Sequence, residues 1–427
     1  MLLKLYPKVH RRYTSLPVLG SLLDGYATWL IKQGYATDCV REHLKTARRL
    51  DRALQRRGVR CLRDLTRGRL RACAPARSAD GRNLAAVIRC LDRYCKAEVS
   101  LFAPRSPRRI EQQVTAYGEY LEGVRGFARS TIANHTVTAA AFLRHMRYER
   151  CPDLHALTTA DIEAFIRRVG TRFNRAALQH VVAHLRGFLR FLSANGQAPT
   201  GLDTQIDTPR VYRDEQLPRA LPWSTVQTLL RAIDRTTPCG RRDYAIFMLI
   251  TTYGLRASEI VALTLDDVEW RTARLRVAQR KTGNALWLPL TDEVGAALLD
   301  YLRHGRSQLG IRRERRGFQV EPPRLRQLFL RCRTPAGVLK PTAITEVFQA
   351  YSRRSGLSIP FQGVHCLRHS YATHLLRSGV SLKTIGDLLG HRSRESTCVY
   401  LRLATEDLRD VALSLPVPVP PSNEVGR

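Results

Sequence analysis

The sequence predicts a mainly α-helical, multidomain protein: two helical bundles, then a mixed α+β domain with a small three-stranded antiparallel sheet. Three observations predict it. At 427 residues the chain exceeds one ordinary core. Two Pro-rich stretches, Leu101 to Pro107 and Pro199 to Pro222, interrupt the helical patterning. The segment ahead of the second break repeats the one ahead of the first, whereas the third carries short strand-like runs. The expected boundaries are 1–105, 108–200, a linker at 201–222, a third domain at 223–415, and a disordered Pro-rich tail at 416–427.

The repeat has an offset of 92. Gly34-Tyr-Ala-Thr matches Gly126-Phe-Ala-Arg, His43 matches His135, and Leu62 to Thr66 matches Leu154 to Thr158. Each copy reads as helix, turn, long helix, short helix and final helix. In the second copy the final helix carries Leu178, Val181, Val182, Leu185, Phe188, Leu189 and Leu192 at helical spacing, stopped by Asn195-Gly196. In the third segment, Asp243 to Thr252 is an apolar helix. Glu269-Trp270, Leu275 to Val277 and Ala285 to Leu288 read as strands, with Lys281 in the last turn. Helices resume near Thr342, over His365 to Arg377, and from the Ser381 cap to the Gly390 stop. Leu408, Val411, Ala412 and Leu413 space a short amphipathic helix beyond Tyr400.

Charge narrows the function. Seventy basic against 37 acidic side chains give +33, which calls for a polyanionic partner and salt-sensitive binding. The ten cysteines form no CxxC pair, so a zinc ribbon is not expected. No apolar run has the length of a signal peptide core or a membrane span. The expectation is a cytoplasmic, nucleoid-associated bacterial protein with no membrane partner.

The chemistry concentrates late in the chain. His365-Cys366-Leu367-Arg368-His369 is followed by Gly390-His391 and then Tyr400. His365 and Arg368 are three apart on one helix. Arg256, in Tyr253-Gly-Leu-Arg-Ala-Ser-Glu259, opens a helix whose positive end favours an anion. Two arginines can clamp the oxygens of a phosphodiester, a tyrosine can attack its phosphorus, and a lysine or histidine can protonate the leaving oxygen.

In this ordered set the chain resembles the tyrosine recombinases of the phage integrase family, a group that includes lambda integrase and the Xer recombinases. The likeness is strong over 213–415 and extends to 110–200, which is similar to the family's SAM-like core-binding domain; it reaches 1–100 only through the repeat. The resemblance implies that Arg256 and Arg368 bind the scissile phosphate and that Lys281 is the general acid. It implies that His365 is a general acid/base, that His391 supports the phosphate, and that Tyr400 is the nucleophile. It further implies duplex DNA as substrate and a 3′-phosphotyrosyl intermediate needing no metal, ATP or other cofactor. Four protomers would act through a four-way junction, with sister recombinases as further partners. A second core-binding-like copy departs from the family pattern and leaves arm-site contacts or protomer contacts open. The duplicated N-terminal half points to a mobile-element integrase, acting in integration or transposition for a transposon or phage, with an Xer-like resolvase as the alternative.

Competing readings attach to single residues. Tyr371 and Tyr351 rival Tyr400, but Tyr371 sits in an apolar pattern and reads as core. His369 and His374 read as structural. The Arg312 to Arg316 run is a solvated loop or a DNA-backbone contact. His365 and His369, with Cys366 or His391, could form a zinc site of a hydrolase. Against this, no glutamate lies between the histidines and Arg368 would repel the metal. A non-catalytic DNA-binding accessory protein is the other alternative, which the complete residue set opposes.

Overall fold

The computed structural model describes residues 1–74, 81–99, 101, 108–210, 218–278, 285–306, 325–332, 337–360, 363–391 and 393–403. Two compact units are present: Met1–Leu101 with Leu217–Arg427, and Phe102–Gln216. The architecture is mainly helical with one small sheet, as the patterning predicts.

The N-terminal segment opens with two single-turn helices, α1 (Leu2–Leu5) and α2 (Arg11–Thr14). Then come α3 (Gly20–Lys32), α4 (Thr37–Arg56), α5 (Arg67–Ala72) and α6 (Gly81–Tyr94). Asp51, fully buried on α4, accepts from the backbone N–H groups of Val18 and Leu19 at 3.1 and 2.7 Å. A side chain thereby satisfies donors that the entry into α3 would otherwise leave bare. The unit at Phe102–Gln216 contains α7 (Arg109–Gly123), α8 (Arg129–His145), α9 (Thr159–Gly170) and α10 (Arg175–Ala194). Its core joins Tyr117, Phe142, Phe165, Leu185, Phe188 and Leu192.

The repeat reappears in three dimensions. Gly34 and Gly126 both take positive φ, +80° and +62°, at the turn before the long helix. Thr66 and Thr158 cap α5 and α9 by accepting from Arg69 N and Asp161 N. Replacing such a cap by alanine costs about 1 kcal/mol. In each copy a tyrosine hydroxyl meets the matching histidine: Tyr26 to His43 Nδ1 at 2.8 Å, Tyr117 to His135 Nδ1 at 2.9 Å.

The expected linker is packed at both ends. Leu202 and Ile206 are buried in the core of the α7–α10 bundle, and Leu221 in the core of the third segment. Polar, Pro-rich composition hides these single apolar anchors.

The third segment holds α11 (Trp223–Arg231), α12 (Pro238–Tyr253), α13 (Ala257–Ile260), β1 (Val268–Glu269), β2 (Arg274–Ala278), β3 (Ala285–Pro289), α14 (Asp292–Asp300), α15 (Pro341–Arg354), α16 (His365–Arg377), α17 (Leu382–Leu389) and α18 (Glu395–Cys398). The sheet is antiparallel in the order β1-β2-β3, with Leu275 opposite Leu288 and Val277 opposite Leu286. Alternation along β2 turns Leu275 and Val277 into the core and leaves Arg274 and Arg276 outside. Trp270, expected in the first strand, lies in the turn after β1. Around α12 the core gathers Phe247, Ile250, Leu298, Phe329 and Phe348. Lys281, the Arg312 to Arg316 run, the helix expected at 408–413 and the tail at 416–427 lie outside the described residues.

Candidate active site

The site is built where four helix ends converge. Helix α12 stops at Gly254, whose φ of +64° glycine adopts without strain. A Cβ there would come within 2.5 Å of Leu389 Cδ2 and 3.0 Å of Tyr371 Cδ1, so the position needs glycine for space as well as conformation. Two residues on, Arg256 caps α13. Glu259 accepts from the Arg256 backbone N–H at 2.8 Å and from its guanidinium Nη1 at 2.7 Å. One buried carboxylate thus closes the helix start and aims the side chain.

Helix α16 supplies three groups from its first turns. His365 is exposed, Arg368 is buried at 2 % exposure, and His369 is half-buried. Arg368 donates from Nη1 to the Gly254 carbonyl and from Nη2 to the Leu389 carbonyl, both at 2.5 Å. These are the carbonyls left over where α12 and α17 end. They fix the guanidinium without cancelling its charge. Burial, and then the nearby Arg256, pull Arg368 down to about 10.

Helix α17 begins at the Ser381 cap and ends at Gly390, φ +60°. That stop places His391, whose Nδ1 pairs with Thr397 Oγ1 at 2.9 Å. Thr397 is buried on α18, three residues before Tyr400. Tyr400 is 2 % exposed, in a cluster with Tyr371, Ile385 and Leu389. Its hydroxyl lies 3.0 Å from His369 Nδ1. The His391 ring stacks at 6.3 Å from the Tyr400 ring, 15° from parallel, and His365 meets His369 edge-on at 4.6 Å.

The electrostatics combine burial with positive charge. Burial holds the Tyr400 phenol above its ordinary value, while Arg368 and Arg256 draw it back down. Burial and neighbouring positive groups hold His369 and His391 down to about 4, so both rings are neutral at pH 7. A neutral His369 can accept the phenolic hydrogen.

Of the residues expected in the site, Arg256, Arg368, His391 and Tyr400 come together, and His365 joins through His369; Lys281 lies outside the described residues. Three contacts of these residues were not read from the sequence. His369, read as structural, touches the tyrosine hydroxyl. Glu259 and Thr397 hold Arg256 and His391. A glutamate three residues after the N-cap, the acidic half of a capping box, was a visible signal for Glu259; nothing local marks Thr397. The rival tyrosines have other places: Tyr371 packs in the cluster and Tyr351 reaches Asp243 Oδ2 at 3.4 Å. His374 stacks flat on Trp223, 4.1 Å between centroids. The zinc reading asks Cys366 for a thiolate, yet Cys366 is buried and its thiol is pushed up to about 12. Among the described residues, no group of three or more His, Cys, Asp or Glu side chains is placed to hold a metal. No described helix is long and apolar enough to cross a membrane.

Comparison with known proteins follows the same lines. Residues 219–407 match the model of the phage integrase family, and residues 114–196 match that of the phage integrase N-terminal SAM-like domain. The protein named "Putative integrase/recombinase y4rA" of Sinorhizobium fredii is 31 % identical over 400 residues, covering 92 % of this chain and 93 % of its own. Tyrosine recombinase XerC of Roseiflexus castenholzii is 32 % identical over 301 residues, 70 % of this chain and 90 % of its own. In fold, the chain is similar to a lambda integrase dimer bound to a COC′ core site, with TM-score 0.51 and 19 % identity over 79 % of this chain and 90 % of that one.

Proposed function

This chain belongs to the phage integrase family of tyrosine recombinases, and from that premise we propose that it cuts and rejoins duplex DNA through Tyr400. The carrying observation is the Tyr400 hydroxyl, buried 3.0 Å from a neutral histidine nitrogen and under the field of two arginines. Arg256 and Arg368 clamp the non-bridging oxygens of the scissile phosphate. Tyr400 Oη attacks phosphorus and its proton passes to His369 Nδ1. The bond from phosphorus to the 5′-oxygen breaks, and the 3′-phosphate stays on the tyrosine. The leaving 5′-oxygen takes a proton from Lys281, the role the family resemblance gives it, with His365 as acid/base and His391 supporting the phosphate. A partner strand's 5′-hydroxyl then attacks phosphorus and releases Tyr400. Each step exchanges one phosphoester for another, so the bond energy is kept and the scheme calls for neither ATP nor metal.

The proposal extends to a tetramer on two duplexes, and to integration for a mobile element. Solved relatives include a lambda integrase tetramer bound to a Holliday junction. The relative from Sinorhizobium fredii, named as an integrase/recombinase, aligns with 92 % of this chain. The test is a nicked suicide substrate built from candidate element ends. The parent protein should form a covalent protein–DNA adduct, and sequencing the cleaved junction should place the cut at the element end. Tyr400→Phe should lower adduct yield by at least about a thousandfold. Adducts persisting in Tyr400→Phe would remove Tyr400 as the nucleophile, and cuts at a chromosomal site would favour the resolvase role.

A further inference from the structure

The N-terminal bundle carries a charge surface that its twin lacks. From Lys45 to Arg71 the chain has eleven basic residues and only two acidic ones, Asp51 and Asp64. Neither acid sits opposite a guanidinium. Asp51 is buried on the backbone of Val18 and Leu19, and Asp64 accepts from the backbone N–H groups of Arg60 and Cys61 at 3.0 and 3.2 Å. The first turns of α4 are balanced: Arg41 pairs with Asp38 and Lys45 with Glu42. After that the balance ends. Arg49, Arg52 and Arg56 are exposed at i, i+3 and i+7 on one face, opposite the buried Leu44, Ala47 and Leu54. Arg57, Arg60 and Arg63 extend the exposed charge past the helix end. Among the described residues no carboxylate pairs with any of these six.

Such an array is not built for stability. Like charges three and four apart on a helix cost about 0.2–0.5 kcal/mol per pair. The helix dipole favours cations only in the last turn, which accounts for Arg56 and not for Arg49 or Arg52. The repeat offset places Val137 opposite Lys45, Ala141 opposite Arg49, Arg144 opposite Arg52 and Tyr148 opposite Arg56. Val137 is 69 % exposed on α8. Of the three stripe positions the second copy thus keeps an arginine only at Arg144, with Ala141 and Tyr148 at the other two.

We propose that this stripe, Arg49, Arg52 and Arg56 with the arginines that follow, grips the phosphate backbone of duplex DNA as a second contact, independent of base sequence. Guanidiniums spaced along a helix meet successive phosphates, and each contact releases a condensed counterion. The proposal deepens the recombinase reading and rests on it.

The test uses the full-length chain and a 30-bp duplex of random sequence, with binding measured from low to moderate salt. The variant Arg49→Gln/Arg52→Gln/Arg56→Gln should lower the slope of log affinity against log salt by about 2.7, roughly 0.9 per phosphate lost. Arg49→Lys/Arg52→Lys/Arg56→Lys keeps the charge and should keep the slope. The three side chains are exposed, so the glutamine variant should melt with the parent. A parental slope in the folded glutamine variant would overturn the proposal. So would a loss confined to self-association of the DNA-free protein, which would make the stripe a protomer contact. The covalent-adduct assay separates the two readings. Adducts with an unchanged slope sink only this inference; a parent without adducts sinks the recombinase reading instead.

Discussion

Two buried arginines of the third segment make opposite use of burial. Arg242, 5 % exposed, is held by Asp243 Oδ1 at 2.8 Å from Nε and 2.5 Å from Nη2, and by the Leu330 carbonyl at 3.1 Å. Burial works against its charge, but Asp243 prevails and keeps it above the ordinary guanidinium value. Arg368, 2 % exposed, has two carbonyls and the positive Arg256 for neighbours, and falls to about 10. At Arg242 an adjacent carboxylate outweighs burial; at Arg368 two carbonyl dipoles orient the guanidinium and burial prevails. The paired residue is a structural joint. The oriented one keeps its charge, as the proposed clamp on the scissile phosphate requires.

The sharpest way to break this contrast is to delete the joint. Arg242→Ala leaves Asp243 buried and unpaired, and should cost about 3–5 kcal/mol of unfolding free energy in denaturant titration. Replacing both, Arg242→Met/Asp243→Leu, should recover most of that loss. Arg368→Gln should do the reverse. It should lower the cleavage rate about 10²–10³-fold, as losing one donor to a developing oxyanion does, while its melting temperature stays within a few degrees of the parent. If Arg368→Gln unfolds the protein as Arg242→Ala does, the distinction fails.

Acid comes next in size. His369 and His391 are held near 4 in the folded chain against about 6.5 unfolded. Below 6.5 the unfolded chain binds protons that the folded one refuses. The stability these rings contribute is therefore full above pH 6.5 and lost as pH falls toward 4. Denaturation midpoints should drop between pH 7.5 and 5, and His369→Asn/His391→Asn should flatten the drop. A double variant as acid-sensitive as the parent would reject this. The smallest effect is reserved for Thr397→Val, which removes the partner of His391 Nδ1. A lost hydrogen bond of about 1 kcal/mol should slow cleavage roughly fivefold to tenfold with little change in DNA affinity. An unchanged rate would show that His391 holds its place without Thr397.

The sequence disclosed this site unevenly, for physical reasons. Arg368, His391 and Tyr400 were legible because their elements are set locally: the Ser381 cap, the Gly390 stop and helical spacing need no tertiary information. The three-stranded sheet was legible from alternation, since Leu275 and Val277 face one side. His369 was not, because its role depends on where the segment after α18 returns. The Arg242–Asp243 pair, at the start of what read as an apolar helix, was not legible; adjacent opposite charges usually point to solvent, whereas here the Leu330 carbonyl and the Tyr351 hydroxyl, distant in sequence, hydrogen-bond to them. The burial of Leu202, Ile206 and Leu221 was not legible because isolated apolar residues in a Pro-rich stretch make no pattern.

The paired bonds Tyr26–His43 and Tyr117–His135 have a consequence for ancestry. Losing either partner alone strands a buried polar group, at about 1–3 kcal/mol. Escape takes two substitutions, the first of them harmful, whereas a surface arginine can drift to alanine in one harmless step. Interior couples of this kind outlive surface likeness after a gene segment is copied. The two modules of this chain share that interior couple while differing at surface positions such as Arg49 and Ala141.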